Sequence, residues 1–354
     1  MRETGRQDSA PAAPGVPFPF ESLYLSWIMR PLPLLTMLML LALFSLASAL
    51  SHGSVDPGWR SLWSALFSEN PGLVRDIIIN LRLPRALTAF CVGGLLALAG
   101  TLMQVLLRNP LADPYVLGTS GGAAVGTLSV MLLGLSGVWL TAGALTGAVV
   151  SIFLVFGLAQ GTEGWSPPRL LLNGIVLASG WGALIAFILT LSPDRNLRGM
   201  LFWLMGDVSD TDWPTLGLVL LPLALAGAGT LARALNVLAH GELQATALGV
   251  SVTALRLAVY GLASLATAVA VTLAGSVGFI GLVVPHMLRL LGTRDHRILL
   301  PAAVLAGGAL LTFADTAART LFAPRQLPVG ILTAFIGVPL FLYLLHRSQL
   351  RASP

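Results

Sequence analysis

The residues whose types and spacing most suggest chemistry in this chain are arginines. Arg82 and Arg85 flank Pro84 in the stretch "LRLPR", directly ahead of the apolar run "ALTAFCVGGLLALAGTLMQVLL". Asp315 and Arg319 stand four residues apart in a second apolar run, a spacing at which an acid and a base meet on one helix face. Guanidinium groups grip carboxylates and phosphates through paired N–H donors, so this set speaks of ion pairing and recognition. His286 follows Pro285 inside an apolar segment. It could be a ligand or a proton relay, but a lone histidine at a helix break reads first as a hydrogen-bonded structural group. His240 has no second ligand at metal-binding spacing. Paired carboxylates, metal-spaced histidines and a serine–histidine arrangement in neighbouring spans are all missing, so no catalytic residue, metal site or resident cofactor is expected.

The elements that hold these residues are set by composition. Of 354 residues, 56% are hydrophobic and 10% are charged, against about 25% charged in soluble domains. Mean hydropathy is +0.85. Such a surface does not face water, and the chain reads as an all-α, polytopic membrane protein. All 20 basic residues are arginine. Without lysine there is no phosphate-binding P-loop and no Schiff-base enzyme, so any ATP-driven step requires a partner chain. The formal charge of +5 fits loop charge bias better than nucleic-acid binding. Cys91 lies in an apolar run and reads as a buried free thiol.

A helix needs about 20 apolar residues to cross a bilayer. On that basis ten spans are expected, over 32–50, 84–107, 115–134, 138–159, 170–190, 213–235, 253–275, 279–292, 300–320 and 328–346. Gly278, Gly281 and Pro285 mark the eighth as broken or re-entrant. The chain divides into a polar, disordered N-terminal tail over 1–31, a ten-span domain over 32–347 and a C-terminal tail over 348–354. An Ala-x-Ala pattern at 47–49 raises signal cleavage; an uncleaved first span is preferred because the tail before it is long. With both termini placed in the cytoplasm, twelve arginines fall inside and eight outside, the expected bias. "LRLPR" then faces outward, against the trend. "LAG" at 98–100 and again at 273–275 precedes Pro110 and Pro285 by the same interval, with "LRL" ahead of each copy. An offset of five spans makes the two copies antiparallel, an inverted internal repeat.

Gly118, Gly122 and Gly126 recur every fourth residue in "NPLADPYVLGTSGGAAVG" and read as a close helix-packing face. A phosphate-cradling loop is the weaker alternative, since no strand precedes and no lysine follows. Gly241 and Gly249 bracket "ELQATAL" in the longest polar interruption, either a linker or a short helix for docking a cytoplasmic partner. Phe202, Trp203 and Trp213 suit an interfacial belt or a substrate contact. If Pro84 opens its helix, Arg82 and Arg85 sit at the wrong end for the helix dipole, at a cost of about 0.3–1 kcal/mol each. They then either snorkel to headgroups or form an outward cationic patch for an acidic partner.

"LRLPRALTAFCVGGLLALAGTLMQVLLRNPLADPYVLGTSGGAAVG", "GELQATALGV", "GFIGLVVPHMLRLLGTRDHR" and "ADTAARTLFAPRQLPVGILTAFIGVPLFLYLL" occur in this order across residues 30–347. Together they resemble the permease subunits of iron-chelate, haem and cobalamin ABC importers, the FecCD-type family of type II importers. The resemblance implies ten spans per subunit in the inner (plasma) membrane and a homodimer with a central pathway. It also implies two cytoplasmic ATPase subunits carrying ATP and Mg, and a periplasmic binding protein. It implies that Arg82, Arg85 and Arg319 meet acids of the binding protein. Gly241, Glu242, Ala245, Leu248 and Gly249 would belong to the segment that docks into the ATPase, and Asn109 and Leu111 to a cytoplasmic constriction.

The expected function is a non-enzymatic permease importing an iron chelate, siderophore or haem, with cobalamin as the alternative cargo. An ion-coupled secondary transporter is the rival from another class. It requires acids buried mid-span, and Asp315 comes nearest to meeting that need.

Overall fold

A computed structural model describes residues 31–53, 72–159, 167–209 and 213–352. The expected N-terminal tail therefore lies outside the described residues, except for Pro31. Twelve helices fill the described chain. They are α1 (Pro31–Ser51), α2 (Leu73–Leu106), α3 (Thr119–Leu132), α4 (Val138–Ala159), α5 (Pro167–Leu191), α6 (Asp194–Leu204), α7 (Thr215–Leu238), α8 (Glu242–Ala247), α9 (Val252–Ala274), α10 (Ile280–Leu290), α11 (His296–Thr320) and α12 (Val329–Ala352). Seven are long and apolar enough to cross a membrane, and α3, α10 and α12 add shorter apolar segments. These ten fall on the ten stretches expected to span, seven of them at full length. Helix α12 runs on to Ala352, through most of the stretch read as a C-terminal tail.

Helix α2 is the axis of the fold. It packs against α1, α7, α9, α10 and α11, and 89% of its most apolar window is buried. Hydrocarbon tails are as apolar as leucine, so burial of oily surface does not pull membrane helices together; close van der Waals contact does. The small residues of α2 permit that contact. A Cβ on Gly93 would lie 2.2 Å from the Gly307 carbonyl oxygen of α11, and one on Gly100 would lie 1.8 Å from that of Gly281 in α10. The hydroxyls of Thr88 and Thr101 fold back onto the carbonyls four residues earlier, at 2.8 and 2.7 Å, so they bring no unmet polar group into the core.

The start of α2 differs from the sequence reading. The helix begins at Leu73, well ahead of Pro84, and Ile77–Arg82 form a π-helical stretch. Proline lacks an N–H and crowds the carbonyl four residues back. The wider π turn ahead of Pro84 absorbs both, so the helix continues where a start was expected. Arg82 and Arg85 are consequently not at a free helix N-terminus, and the dipole argument against them does not apply.

The third expected span also changes. Helices α3 and α10 have 14 and 11 residues. At 1.5 Å per residue they reach about 21 and 17 Å, too short for a hydrocarbon core of about 30 Å. After α2 the chain doubles back: the Pro114 ring would touch a Cβ on Gly281, which itself packs on Gly100 and the Leu96 carbonyl near the middle of α2. Helix α3 starts just beyond, and its far end lies by Asn196 of α6, whose side-chain amide approaches the Met131 carbonyl at 3.4 Å. Helix α10 starts at the level of Gly100 and runs the other way, so that its Arg289 reaches Gln104. Two half-helices thus leave mid-depth in opposite directions, after α2 and α9 respectively. This is the geometry of an inverted repeat. The "LAG" echo does not map onto it, because Gly100 is inside a helix whereas Gly275, at φ 65°, ends α9.

Non-helical backbone at this depth must be satisfied by protein. The Tyr115 hydroxyl donates to the Val277 carbonyl at 3.0 Å and accepts from the Val277 N–H at 3.1 Å. The Asp207 N–H donates to the Ala274 carbonyl at 2.9 Å, and Ser120 meets Ser276 at 3.0 Å.

The expected packing role holds for Gly122 and Gly126, but Gly118, at φ 67°, lies ahead of α3 in a left-handed turn and is not on the helix face. A Cβ on Gly122 would lie 2.3 Å from the Gly147 carbonyl oxygen, and one on Gly126 would lie 2.0 Å from that of Gly143, both in α4. Replacing Gly126 with Val should therefore force α3 and α4 apart and cost about 1–3 kcal/mol. A drop in the melting temperature of the detergent-purified chain of several degrees is expected, while Gly157→Ala, which faces open space within α4, should not lower it.

Candidate functional site

Polar chemistry gathers at the two ends of α2. At the Arg82 end, the π turn and Pro84 bring Arg82 and Arg85 against α1 and α11. Arg85 forks onto Asp315, with Nη2 at 2.7 Å from Oδ1 and Nε at 3.0 Å from Oδ2. Its Nη1 donates to Gln326 at 2.8 Å. Arg319, one helical turn beyond Asp315, lies 3.8 Å from the same carboxylate and donates to the Ala49 carbonyl. Arg82 donates to the Leu50 carbonyl at 2.8 Å. The last carbonyls of a helix lack intrahelical partners and carry partial negative charge. Two arginines therefore cap the C-terminus of α1 while the third holds Asp315. Helix α1 is built into the fold by these bonds and by Leu34, Leu38 and Ala42 in the core.

These three arginines turn inward in the single chain. Arg82, Arg85 and Arg319 are only 6%, 8% and 9% exposed, and Asp315 is 1% exposed. The reading of Arg82 and Arg85 as either snorkelling or outward-facing groups missed this, because only the tertiary fold brings residues 49, 50, 85 and 315 together. Asp315 is buried, as an ion-coupled transporter would need. It is committed to a bidentate arginine, however, and so is an anchor, not a lone proton carrier.

At the other end, Glu242 opens α8 and reaches two arginines. It lies 3.4 Å from Arg108, just past α2, and pairs with Arg256 at the start of α9. One carboxylate thus ties α8 to the ends of both antiparallel helices. Gly241 at φ 133° and Gly249 at φ 79° make the sharp turns that set α8 off from its neighbours. Ala245 is fully buried, whereas Leu248 is 71% exposed and Leu243 is 89% exposed. Leu243 is a partner-facing candidate that the sequence reading passed over; an apolar residue between two polar ones inside a glycine-bracketed loop was its signal. Asn109 accepts the Leu111 N–H at 2.9 Å in a side-chain turn, and Leu111 is exposed.

Beside α8, a cavity of about 860 Å³ opens between the ends of α2, α7, α10 and α11. Asn236 organises one wall. Its amide donates to Asp295 at 2.7 Å, and its carbonyl accepts the His296 N–H at 2.9 Å and meets His296 Nδ1 at 2.6 Å. The Asn236 amide and the Arg297 N–H hold the Asp295 carboxyl below the usual carboxylate range. His286 lines this cavity too, and the hydrogen bond expected of it is not found at Nε2 among the described residues. No group of three metal-ligating side chains occurs among the described residues.

Removing the carboxylate at the Arg82 end should be severe. Asp315→Asn leaves buried guanidinium groups without their counter-ion, a loss of about 3–5 kcal/mol. Thermal unfolding in detergent should show a large drop for Asp315→Asn and a smaller one for the double change Arg85→Met with Asp315→Leu, which removes both charges of the pair.

Comparison with known proteins agrees with this architecture. The chain is 41% identical over 322 residues to the hemin transport system permease protein HmuU of Yersinia pestis, covering 88% of this chain and 95% of that protein. It is 40% identical to the vitamin B12 import system permease protein BtuC of Klebsiella pneumoniae, covering 88% and 93%. A solved structure of a metal-chelate type ABC transporter in an inward-facing conformation superposes with a TM-score of 0.78 at 31% identity, covering 89% of this chain and 99% of that one. Residues 38–347 match the FecCD transport family. A multi-pass helical chain built around α2, with half-helices at mid-depth and that match over most of its length, is a transmembrane permease and belongs to the FecCD transport family.

Proposed function

We propose that two copies of this chain enclose a pathway that two ATPase subunits drive from the Arg108 end and a substrate-binding protein loads from the Arg82 end. The observation that carries this reading is α8: a short helix strapped by Glu242 to Arg108 and Arg256, with Leu243 and Leu248 left bare. A force applied to α8 by a partner reaches α2 and α9 together through that carboxylate. ATP and Mg belong to the partner, since this chain has no lysine for a P-loop. The Arg108 end is cytoplasmic on this reading, as are both termini, in an inner-membrane protein.

At the opposite end, Arg85 and Arg319 share Asp315, and Arg82 donates to the Leu50 carbonyl at the end of α1. This guanidinium cluster suits an acidic docking surface on a binding protein, which would compete with Asp315 and the α1 carbonyls for Arg82, Arg85 and Arg319. Gly241, Glu242, Ala245, Leu248 and Gly249 form the ATPase-coupling segment, and Asn109 and Leu111 narrow the pathway at the cytoplasmic side. Partner binding that differs between outward-open and inward-open states then drives the exchange between them.

The cargo is an iron chelate, siderophore or haem. The named hemin permease at 41% identity supports this reading. Cobalamin is the second reading, favoured by the vitamin B12 permease at 40%. Isolating the cognate binding protein by co-purification and identifying its ligand by absorbance and mass spectrometry separates them; an amino acid or a free metal ion in that protein would overturn both.

Two variants test the machinery. Leu243→Asp should abolish co-purification of the ATPase while leaving the melting temperature unchanged, because the side chain touches little of this chain. Charge reversal at Arg82 and Arg85 together should weaken binding-protein capture by about tenfold or more, and capture by the unaltered chain should weaken as salt rises. Unchanged capture and uptake in the charge-reversed chain would remove the docking role.

A further inference from the structure

The cavity between the ends of α2, α7, α10 and α11 is built unlike the rest of this apolar protein. Arg108, Arg289 and Arg294 line it, together with His286, His296 and a single carboxylate, Asp295. That carboxylate is already engaged by Asn236 and the Arg297 N–H. Arg108 has Glu242, but neither Arg289 nor Arg294 has an ion pair among the described residues. Arg289 instead donates to the neutral Gln104 side chain, which in turn donates to the Leu282 carbonyl at 3.1 Å.

Three nitrogens of these lining residues are buried without a hydrogen-bond partner among the described residues: Arg289 Nη2, His286 Nε2 and His296 Nε2. All three residues line the same cavity. His296 is 3% exposed and His286 is 9% exposed. An orphaned buried donor costs about 1–3 kcal/mol, more when charged, so the Arg289 guanidinium calls for an acceptor. The Asn236 carbonyl oxygen fixes the proton of His296 on Nδ1, because the Asn236 amide nitrogen is turned to Asp295. His296 Nε2 can then donate only as the imidazolium, a form that a bound anion stabilises. The N-terminus of the 25-residue α11 opens on the same wall and adds its partial positive charge.

We infer that this cavity is a phosphate-binding site, in which Arg289, Arg294, His286 and His296 hold the oxygens of a phosphate group. An oxyanion with several acceptors and net negative charge answers the orphan Arg289 nitrogen and the unneutralised guanidinium groups at once, and draws a proton onto His296. Basic pockets between membrane helices take phospholipid headgroups, and free phosphate offers the same chemistry. The site is independent of the cargo.

Two probes on the purified full chain distinguish the sources. Inorganic phosphate is titrated by calorimetry into the delipidated chain in non-ionic detergent. Separately, the chain is released for native mass spectrometry from phosphatidylcholine nanodiscs with and without phosphatidylglycerol. Binding of phosphate, retention of phosphatidylglycerol, or both, should be seen. Either should fall about tenfold or more in Arg289→Gln with Arg294→Gln, as expected for loss of two charge-assisted contacts. Arg294 is exposed, so Arg294→Gln alone carries the test should the double change unfold the chain. Arg233→Gln, an exposed arginine of α7 outside the cavity, should bind as the unaltered chain does. Binding of neither probe, or equal binding by the Arg294→Gln and unaltered chains, overturns the inference. So does a cavity that refuses both probes yet shields Arg294 once the ATPase is added, which would make it part of the protein interface.

Discussion

Everything in this fold depends on how closely other backbones can approach α2. In a bilayer, packed helices gain little from hiding oily surface, and any unmet peptide group costs several kcal/mol. Gly93 against Gly307 and Gly100 against Gly281 bring carbonyl oxygens to where a Cβ would stand. Those contacts hold α10 and α11 on α2. The same rule sets the α3–α4 pair through Gly122, Gly126, Gly143 and Gly147. Once α2 is enclosed in this way, the half-helices can break the regular pattern at mid-depth, because Tyr115 and neighbouring backbone supply the bonds that Val277 and Ala274 would otherwise lack.

Charge is rationed by the same constraint and is placed at the ends of α2. At one end a carboxylate serves Arg85 and Arg319, and helix-end carbonyls take the remaining donors of Arg82 and Arg319. At the other, Glu242 bridges Arg108 and Arg256 across two antiparallel helices. Each cluster joins segments far apart in sequence. A change at one end of α2 can therefore be felt along a rigid rod that reaches the other, which is what a transporter driven from one face and loaded from the opposite face requires.

Much of the fold was legible before any coordinates. Ten apolar stretches became ten apolar helices, because a bilayer leaves few other solutions for runs of that length. The spacing of Gly122 and Gly126 announced a packing face, and Gly241 and Gly249 bracketed α8. Less legible was the local backbone. Pro84 suggested a helix start, since nothing in the sequence shows that a π turn ahead of it will relieve the clash. The third span was read as complete, since apolarity does not distinguish a crossing helix from one that begins at mid-depth behind a doubled-back loop.

The sequence by itself determined the class of protein, the number and approximate limits of its apolar helices, the exclusion of a P-loop from this chain, and the residues at which charge would matter. Length, hydropathy and missing lysine are properties of the chain read in order, and the solvent acts on them directly. Only the tertiary structure decided what those charges do. That Arg85 turns inward to Asp315 and that Arg82 and Arg319 close α1 depend on pairs separated by 32 to 270 residues. Such partners are set by which helices the glycines of α2 allow to touch, and no local pattern in the chain encodes that choice.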